Sequence, residues 1–252
     1  MQHTLSTKKL FWLDFKMRCK LTLAYNGTHF LGSQIQKSSS NTIMGTLTHI
    51  LIKLNIHSKV IASGRTDKGV HATAQVCHID LPEFWSDLPK LHRVLNEMLP
   101  PSIRVKHLKK ADENFHARYD AKKRIYRYLL KESPIDPFQN DFITFVDSLN
   151  FLTIKKNIQL FEGVHDFKYF MKTGSETENT TRVVYKAFAY RYKDVTILHF
   201  EANGFLRSQI RLMVGALLKL NAQELQEQIS SQKNYKIKPA KSNGLYLSKI
   251  KY

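Results

Sequence analysis

The sequence has little cysteine and no long apolar run, and each shortage excludes a class of protein. Two cysteines in 252 residues are too few for a disulfide framework or a four-thiolate zinc site, so we expect Cys19 and Cys77 to be buried thiols in a reducing compartment. No apolar stretch approaches the roughly 20 residues of a membrane-spanning helix. The apolar patch in residues 8–15 is too short for a signal peptide and is interrupted by Asp14, which favours a cytoplasmic protein.

Acidic residues are also scarce relative to basic ones. Lysine and arginine number 39 against 21 aspartate and glutamate, which leaves a formal net charge of +18. An excess of this size is typical of proteins that bind a polyanion, with nucleic acid ahead of a membrane surface as the partner. The hydrophobic share of 42% is enough for one large or two modest globular domains and argues against disorder.

Strand and helix patterns occur in the same order in both halves of the chain. Two-residue alternation predicts strands, and apolar residues at helical spacing predict helices. In the first half these elements are predicted at residues 19–25, 42–54, 59–62, 74–81, 89–99 and 102–105. In the second half they are predicted at residues 123–130, 154–163, 182–192, 195–202, 205–220 and 244–250.

Two successive βαββαβ units predict an α+β fold made of two ferredoxin-like subdomains, each with an antiparallel sheet and its helices on one face. The polar stretch at residues 111–123 is the expected junction between them. We therefore assign residues 17–112 to an N-terminal domain and residues 113–252 to a C-terminal domain. Residues 1–16 are interpreted as an N-terminal extension to which no function is assigned.

Residues 62–72 (ASGRTDKGVHA) concentrate charged and polar residues directly after a short predicted strand. Loops at strand ends are common positions for functional sites. Asp67, Lys68 and Gly69 are equally good residues for a simple turn, however. From these residues alone, a polar turn and a catalytic loop both remain possible.

The same stretch resembles the R-T-D-x-G-V-H-A signature of the tRNA pseudouridine synthase A family (TruA). Four further blocks are similar to that family in the expected order, and the resemblance covers nearly all of residues 18–252. These blocks are residues 25–36 (YNGTHFLGSQIQ), 114–128 (NFHARYDAKKRIYRY), 203–217 (NGFLRSQIRLMVGAL) and 243–247 (NGLYL).

The resemblance implies both a fold and an activity. The fold is the pseudouridine synthase fold, with a catalytic cleft between the two subdomains. The activity is isomerisation of uridine to pseudouridine at positions 38, 39 and 40 in the anticodon stem-loop of tRNA, without cofactor or obligatory metal. Family members are homodimers whose joined subunits form a basic cleft for tRNA.

The resemblance also assigns roles to four residues. Asp67 matches the catalytic aspartate, the nucleophile of the family, and the sequence leaves open whether it attacks the sugar or the base or begins by proton abstraction. Arg211 matches the arginine that pairs with the aspartate. Tyr126 matches the tyrosine that stacks on the target uracil, an interaction worth about 1–3 kcal/mol. Arg65 matches the arginine that fills the space left by the flipped base.

Two positions in these blocks differ from the family pattern. Ser33 stands where the family usually has tryptophan, which we expect to loosen an RNA or core contact. Gln209 stands where methionine is usual, which adds polarity near the presumed catalytic helix. We interpret His71 as a hydrogen-bonded residue that braces the loop, and Tyr128 as a core residue.

Two other functions compete with the enzyme assignment. A non-catalytic RNA-binding protein would share the charge, the aromatic residues and the ferredoxin-like sheets. A metal-dependent nuclease would need a cluster of carboxylates that the sequence lacks. Asp67 and Arg211 together favour the isomerase, because a passive binder has no use for a carboxylate that faces an RNA phosphate.

Overall fold

The computed structural model describes residues 15–37, 39–132, 134–172, 174, 177 and 179–252. The predicted N-terminal extension therefore lies outside the described residues up to residue 14. Its last two positions already belong to the first strand, β1 (Phe15–Tyr25). That strand begins two residues before the domain boundary placed at residue 17.

The first half of the chain contains four strands and two helices in the predicted order. Thr42 caps the first helix, because its hydroxyl accepts a hydrogen bond from the backbone N–H of Gly45. The spatial order of the strands is β4, β1, β3, β2, with every pair antiparallel. These elements are β1, α1 (Ile43–Lys53), β2 (Ile61–Ala62), β3 (His71–Pro82), α2 (Leu88–Met98) and β4 (Ile103–Lys110).

The second half repeats this order with additional elements inserted. Its four main strands lie in the order β10, β5, β9, β8, again with every pair antiparallel, while β7 pairs antiparallel with β8 and the short β6 pairs in parallel with β5. When β6 and β7 are left out and the other strands are numbered within each half, both sheets read fourth, first, third, second, which confirms the α+β prediction. These elements are β5 (Lys123–Glu132), β6 (Thr144–Val146), α3 (Phe151–Asn157), β7 (Gly163–Asp166), β8 (Thr181–Tyr192), β9 (Val195–Ala202), α4 (Gln209–Lys219), α5 (Ala222–Ile229) and β10 (Leu245–Lys251).

A short parallel pairing joins the two halves into one sheet. Strand β10 pairs with the start of β3 at Tyr246 with His71 and at Leu247 with Ala72. We call this pairing of β3 with β10 the seam. Five cross-strand neighbours on and beside it are all buried: Tyr25, Ala72, Leu247, Tyr126 and Phe200. Directly paired residues point to the same side of a sheet, so one buried face runs through both halves and the seam lies in its middle.

The structure differs from the prediction at the start of α4. Apolar spacing predicts a helix from residue 205, but α4 begins at Gln209. The residue before it, Ser208, has φ 60 and ψ 11, which is a left-handed conformation that no right-handed helix contains. The short strands β6 and β7 and the helix α5 were not predicted.

Both cysteines are buried and unpaired, as the sequence predicts. Burial raises the pKa of the Cys19 thiol to about 11 and that of Cys77 to about 12, because a thiolate loses its solvation there. Within the described part of the chain, the helices are too short or too polar to cross a membrane.

Candidate active site

The loop between β2 and β3 carries Asp67, and buried polar side chains fix its backbone. The Ser63 hydroxyl donates to Oε1 of Gln75 at 2.6 Å, and Nε2 of Gln75 donates to the carbonyl of Gly64 at 2.8 Å. Further along, the Thr66 hydroxyl lies 2.9 Å from that of Tyr25. Because Gln75 lies on β3 and Tyr25 on β1, these bonds anchor the loop to two neighbouring strands of the sheet.

The segment that precedes α1 holds the other side of the loop. The backbone N–H of Thr66 donates to Oγ of Ser33 at 2.8 Å, and the N–H of Ser33 donates to the carbonyl of Thr66 at 3.0 Å. Gly32, at φ +110, allows this approach, since a Cβ there would lie 3.0 Å from the Thr66 carbonyl oxygen. Ser33 is buried with its hydroxyl and its backbone N–H both bonded to Thr66, and the expectation that it loosens an RNA or core contact stays a prediction.

His71 braces the end of the loop, as the sequence predicts. Its Nδ1 accepts a hydrogen bond from the backbone N–H of Gly27 at 3.1 Å, so the proton of the neutral ring lies on Nε2. The Nε2–H group donates a hydrogen bond that is shared between the carbonyls of Asp141 and Asn243, at 2.9 and 3.1 Å. Burial lowers the pKa of His71, which favours this neutral form. With both nitrogens engaged, the ring has no lone pair left for a metal.

No group of three or more histidine, cysteine or acidic residues among the described part of the chain is arranged to hold a metal ion. The carboxylate of Asp67 instead has an arginine and a serine as partners, both from the second half of the chain. Nη1 of Arg211 lies 3.4 Å from its Oδ2, and the hydroxyl of Ser208 donates to the same oxygen at 2.7 Å. The ion pair between Asp67 and Arg211 that the resemblance implies is thus present.

The two oxygens of Asp67 have different surroundings. Oδ2 takes both partners, whereas Oδ1 makes no hydrogen bond to any residue that the structure describes. The side chain of Asp67 is 31% exposed and that of Arg211 is 19% exposed. The carboxylate is therefore anchored through one oxygen, while the other has no hydrogen-bond partner among the described residues.

Arg211 is itself held in place by the segment that leads to β10. Its Nε donates to the carbonyl of Ala240 at 2.7 Å, and the N–H of Ala240 donates back to the Arg211 carbonyl at 2.8 Å. One turn further along α4, a Cβ on Gly215 would lie only 2.3 Å from the carbonyl oxygen of Lys238. A glycine is needed there for the segment to pack closely on the helix.

Tyr126 lies on β5, with its ring edge-to-face against Phe205 at a centroid distance of 5.3 Å. It is 8% exposed, and its hydroxyl makes no hydrogen bond within the described residues. Burial raises its pKa, because a phenolate would lose its solvation there. Tyr128 differs, because its hydroxyl donates to the carbonyl of Lys241 at 2.6 Å. Tyr128 is a core residue, as expected.

Arg65 extends from the loop into solvent. Its side chain is exposed and forms no ion pair with a residue in the described ranges. Asp67 and Arg211 are thus brought together from the two halves of the chain, Tyr126 lies on β5 opposite Leu247 of β10, and the side chain of Arg65 is exposed.

Arg124 is a site-supporting residue that the sequence did not reveal. Its guanidinium donates to four backbone carbonyls and ties the start of the loop to the second half of the chain. Desolvation lowers its pKa without removing its charge. The four acceptors are the carbonyls of Ser63 (3.1 Å), Arg118 (2.8 Å), Ala121 (2.9 Å) and Asn203 (2.7 Å).

Gln209, where the family usually has methionine, is buried with its polar groups in use. The side-chain Oε1 of Gln209 accepts a hydrogen bond from the backbone N–H of Leu206 at 2.7 Å. The backbone N–H of Gln209 donates to the Leu206 carbonyl at 3.1 Å. Its Nε2 lies 3.7 Å from Sδ of Met213. The added polarity therefore closes the turn from Leu206 to Gln209, which contains Ser208.

Comparison with known proteins supplies the context for this geometry. The family described as tRNA pseudouridine synthase matches residues 22–120 and 158–252. A tRNA pseudouridine synthase A of Campylobacter jejuni (strain RM1221) is 38% identical over 244 residues, which cover 94% of this chain and 100% of the relative. That of Wolinella succinogenes is 40% identical over 235 residues, covering 91% and 92%. That of Helicobacter pylori (strain P12) is 39% identical over 246 residues, covering 94% and 100%.

Proposed function

The chain belongs to the tRNA pseudouridine synthase family, and we propose that it acts on uridines 38, 39 and 40 of the anticodon stem-loop with Asp67 as the catalytic nucleophile. The reaction is the isomerisation of uridine to pseudouridine in tRNA. The observation that carries the proposal is the Asp67 carboxylate at the seam of the sheet, held by Arg211 at 3.4 Å through one oxygen, with the other oxygen free of hydrogen bonds to the described residues.

The chemistry requires a nucleophile that works away from water. The bond between N1 of uracil and C1′ of the sugar breaks, a bond between C5 and C1′ forms, the hydrogen on C5 leaves as a proton, and N1 takes up a proton. Between these steps Asp67 holds one of the two fragments covalently, so that it is not lost to water. A carboxylate covered by bound RNA stays ionised only beside a positive charge, and Arg211 supplies that charge.

Tyr126 forms the apolar wall on which the target uracil stacks. Its raised pKa keeps the phenol protonated, so it contributes a flat ring and a hydroxyl donor and does not act as a base in the free enzyme. Phe205, edge-to-face with it, fixes the ring. Stacking of a base on such a ring is worth about 1–3 kcal/mol.

Arg65 fills the space that the target base leaves in the RNA stack. Extrusion of a base costs a few kcal/mol, and a guanidinium can offset part of that cost by stacking on the neighbouring bases. The exposed position of Arg65, two residues from Asp67 on a braced loop, suits this role. The net charge of +18 supplies the attraction for the tRNA backbone.

Tritium release tests the proposal directly. Unmodified tRNA with tritium at uridine C5 is incubated with the protein, and we expect tritium in the water, because joining the sugar to C5 displaces that hydrogen. Transcripts with cytidine at positions 38, 39 and 40 serve as controls and should release none. Tight binding of competent tRNA without release would contradict the enzyme assignment and favour a passive RNA-binding protein.

We further place the enzyme in the cytoplasm with its tRNA substrate, as a homodimer whose joined subunits form the basic cleft. Light scattering on the purified protein should give about twice the chain mass of 29.3 kDa. A single-chain mass at micromolar concentration would count against the shared cleft and leave the catalytic assignment untouched.

A further inference from the structure

Ser208 has an unusual backbone conformation at the start of α4. It is one of five non-glycine residues with positive φ in the described part of the chain, and side chains with a Cβ are strained in that region. Serine before a helix usually caps it with its hydroxyl, but Ser208 makes no such bond to α4. The strained backbone of Ser208 is therefore not explained by a side-chain cap on α4.

The hydroxyl of Ser208 instead points across the seam of the sheet. It donates to Oδ2 of Asp67, 141 positions away in the sequence, at 2.7 Å. The turn that orients it is closed by Gln209, which exchanges two hydrogen bonds with Leu206. The left-handed backbone, the closed turn and the short bond to an ionised acceptor together point to a role at Asp67.

We propose that Ser208 is a positioning residue that, together with Arg211, holds Oδ2 of Asp67 and leaves Oδ1 as the oxygen that reacts. This inference rests on the proposed role of Asp67 as nucleophile. A carboxylate rotates easily about its last bond, and its two oxygens are then equivalent. Two donors on one oxygen remove that equivalence, because a charge-assisted hydrogen bond is short and directional.

The orientation matters because small displacements of a reacting atom are costly. A misplacement of about 1 Å can reduce a rate on the order of a hundredfold. In the proposed arrangement, Arg211 stabilises the charge of Asp67 and Ser208 sets the plane of the carboxylate. The nucleophilic oxygen is thus oriented before RNA arrives.

Two substitutions separate the effect of the Ser208 hydroxyl on the rate from the effect of the strained backbone on stability. Ser208→Ala removes the hydroxyl and keeps the strained Cβ, whereas Ser208→Gly removes both. We expect both variants to lose roughly tenfold to a hundredfold in the single-turnover rate of tritium release, with an unchanged Kd for tRNA. The glycine variant should nevertheless unfold at a higher temperature than the alanine variant, because glycine adopts positive φ without strain.

Ser231 provides a matched control, since it too has a φ of 60. Its hydroxyl donates a long hydrogen bond to the carbonyl of Asp166, at 3.4 Å, far from Asp67 in the sequence. Ser231→Gly should leave the rate of tritium release unchanged.

Three outcomes separate this inference from the proposed function. A wild-type rate in both Ser208 variants, or rates that follow their melting temperatures, would overturn the positioning role. Loss of activity in Asp67→Asn with normal Ser208 variants would remove this inference alone. Full activity in Asp67→Asn would remove the proposed function as well.

Discussion

Asp67→Asn is expected to abolish tritium release from tRNA, with a loss of about 10⁴-fold or more in the single-turnover rate, as for other nucleophile replacements. Asparagine has nearly the same shape and keeps an oxygen that can accept from Ser208 at the position where the carboxylate now lies 2.7 Å from the hydroxyl. It lacks the negative charge and the nucleophilic oxygen. The Kd for tRNA should stay within about twofold, because phosphate contacts by basic residues supply most of the affinity.

Asp194→Asn is the matched control for that experiment. It changes the net charge by the same amount on the exposed turn between β8 and β9, where Asp194 forms an ion pair with Lys131 at 2.7 Å. Its rate of release should equal that of the wild type. Release that persists in Asp67→Asn would exclude Asp67 as the nucleophile, and a parallel loss of tRNA binding would indicate a structural role for Asp67 instead.

Replacement of Arg211 is expected to have the second largest effect. Arg211→Met removes the positive partner of Asp67 and should reduce the single-turnover rate on the order of 10²- to 10³-fold, a typical cost for loss of one preorganised donor. Arg211→Lys should fall between this variant and the wild type. Lysine keeps the charge but cannot bond to Ala240 and Asp67 together, as the guanidinium does at 2.7 and 3.4 Å.

Arg207 offers a nearby arginine for comparison. Its side chain is exposed in the turn before α4 and has no carboxylate partner within the residues that the structure describes. Arg207→Met should weaken tRNA binding, since it removes one cation, and should leave the rate at saturating enzyme unchanged. An equal loss of that rate in both variants would show that pairing with Asp67 is not the reason for the effect of Arg211.

The repeated order of strands and helices could be predicted because alternation and helical spacing are local signals. The start of α4 could not, since Phe205, Leu206 and Ile210 continue an apolar helical pattern through a residue whose backbone is left-handed. The pairing of β10 with β3 could not be predicted from the sequence either. It depends on two short segments that lie far apart in the chain, and neither has a composition that marks the other as its partner.

The candidate site was less predictable than the order of strands and helices. Without the family resemblance, Asp67, Lys68 and Gly69 are sufficient for a turn, and the contact with Arg211 has no local signal. Ser208 and Arg124 were missed for physical reasons. The serine acts through a backbone conformation that its neighbours impose, and Arg124 bonds to backbone carbonyls, whose positions no side-chain pattern records.

The seam of the sheet also sets an order for assembly during synthesis on the ribosome. The first four strands can pair among themselves as soon as β4 has emerged, but β3 then lacks the neighbour that β10 provides at His71 and Ala72. Most of the chain must be translated before that neighbour appears. Until then the start of β3 is an open strand edge, a liability for aggregation, and Asp67 has neither Ser208 nor Arg211. A nascent chain that already carries Asp67, the proposed nucleophile, is therefore expected to be inactive until the second half has folded against it.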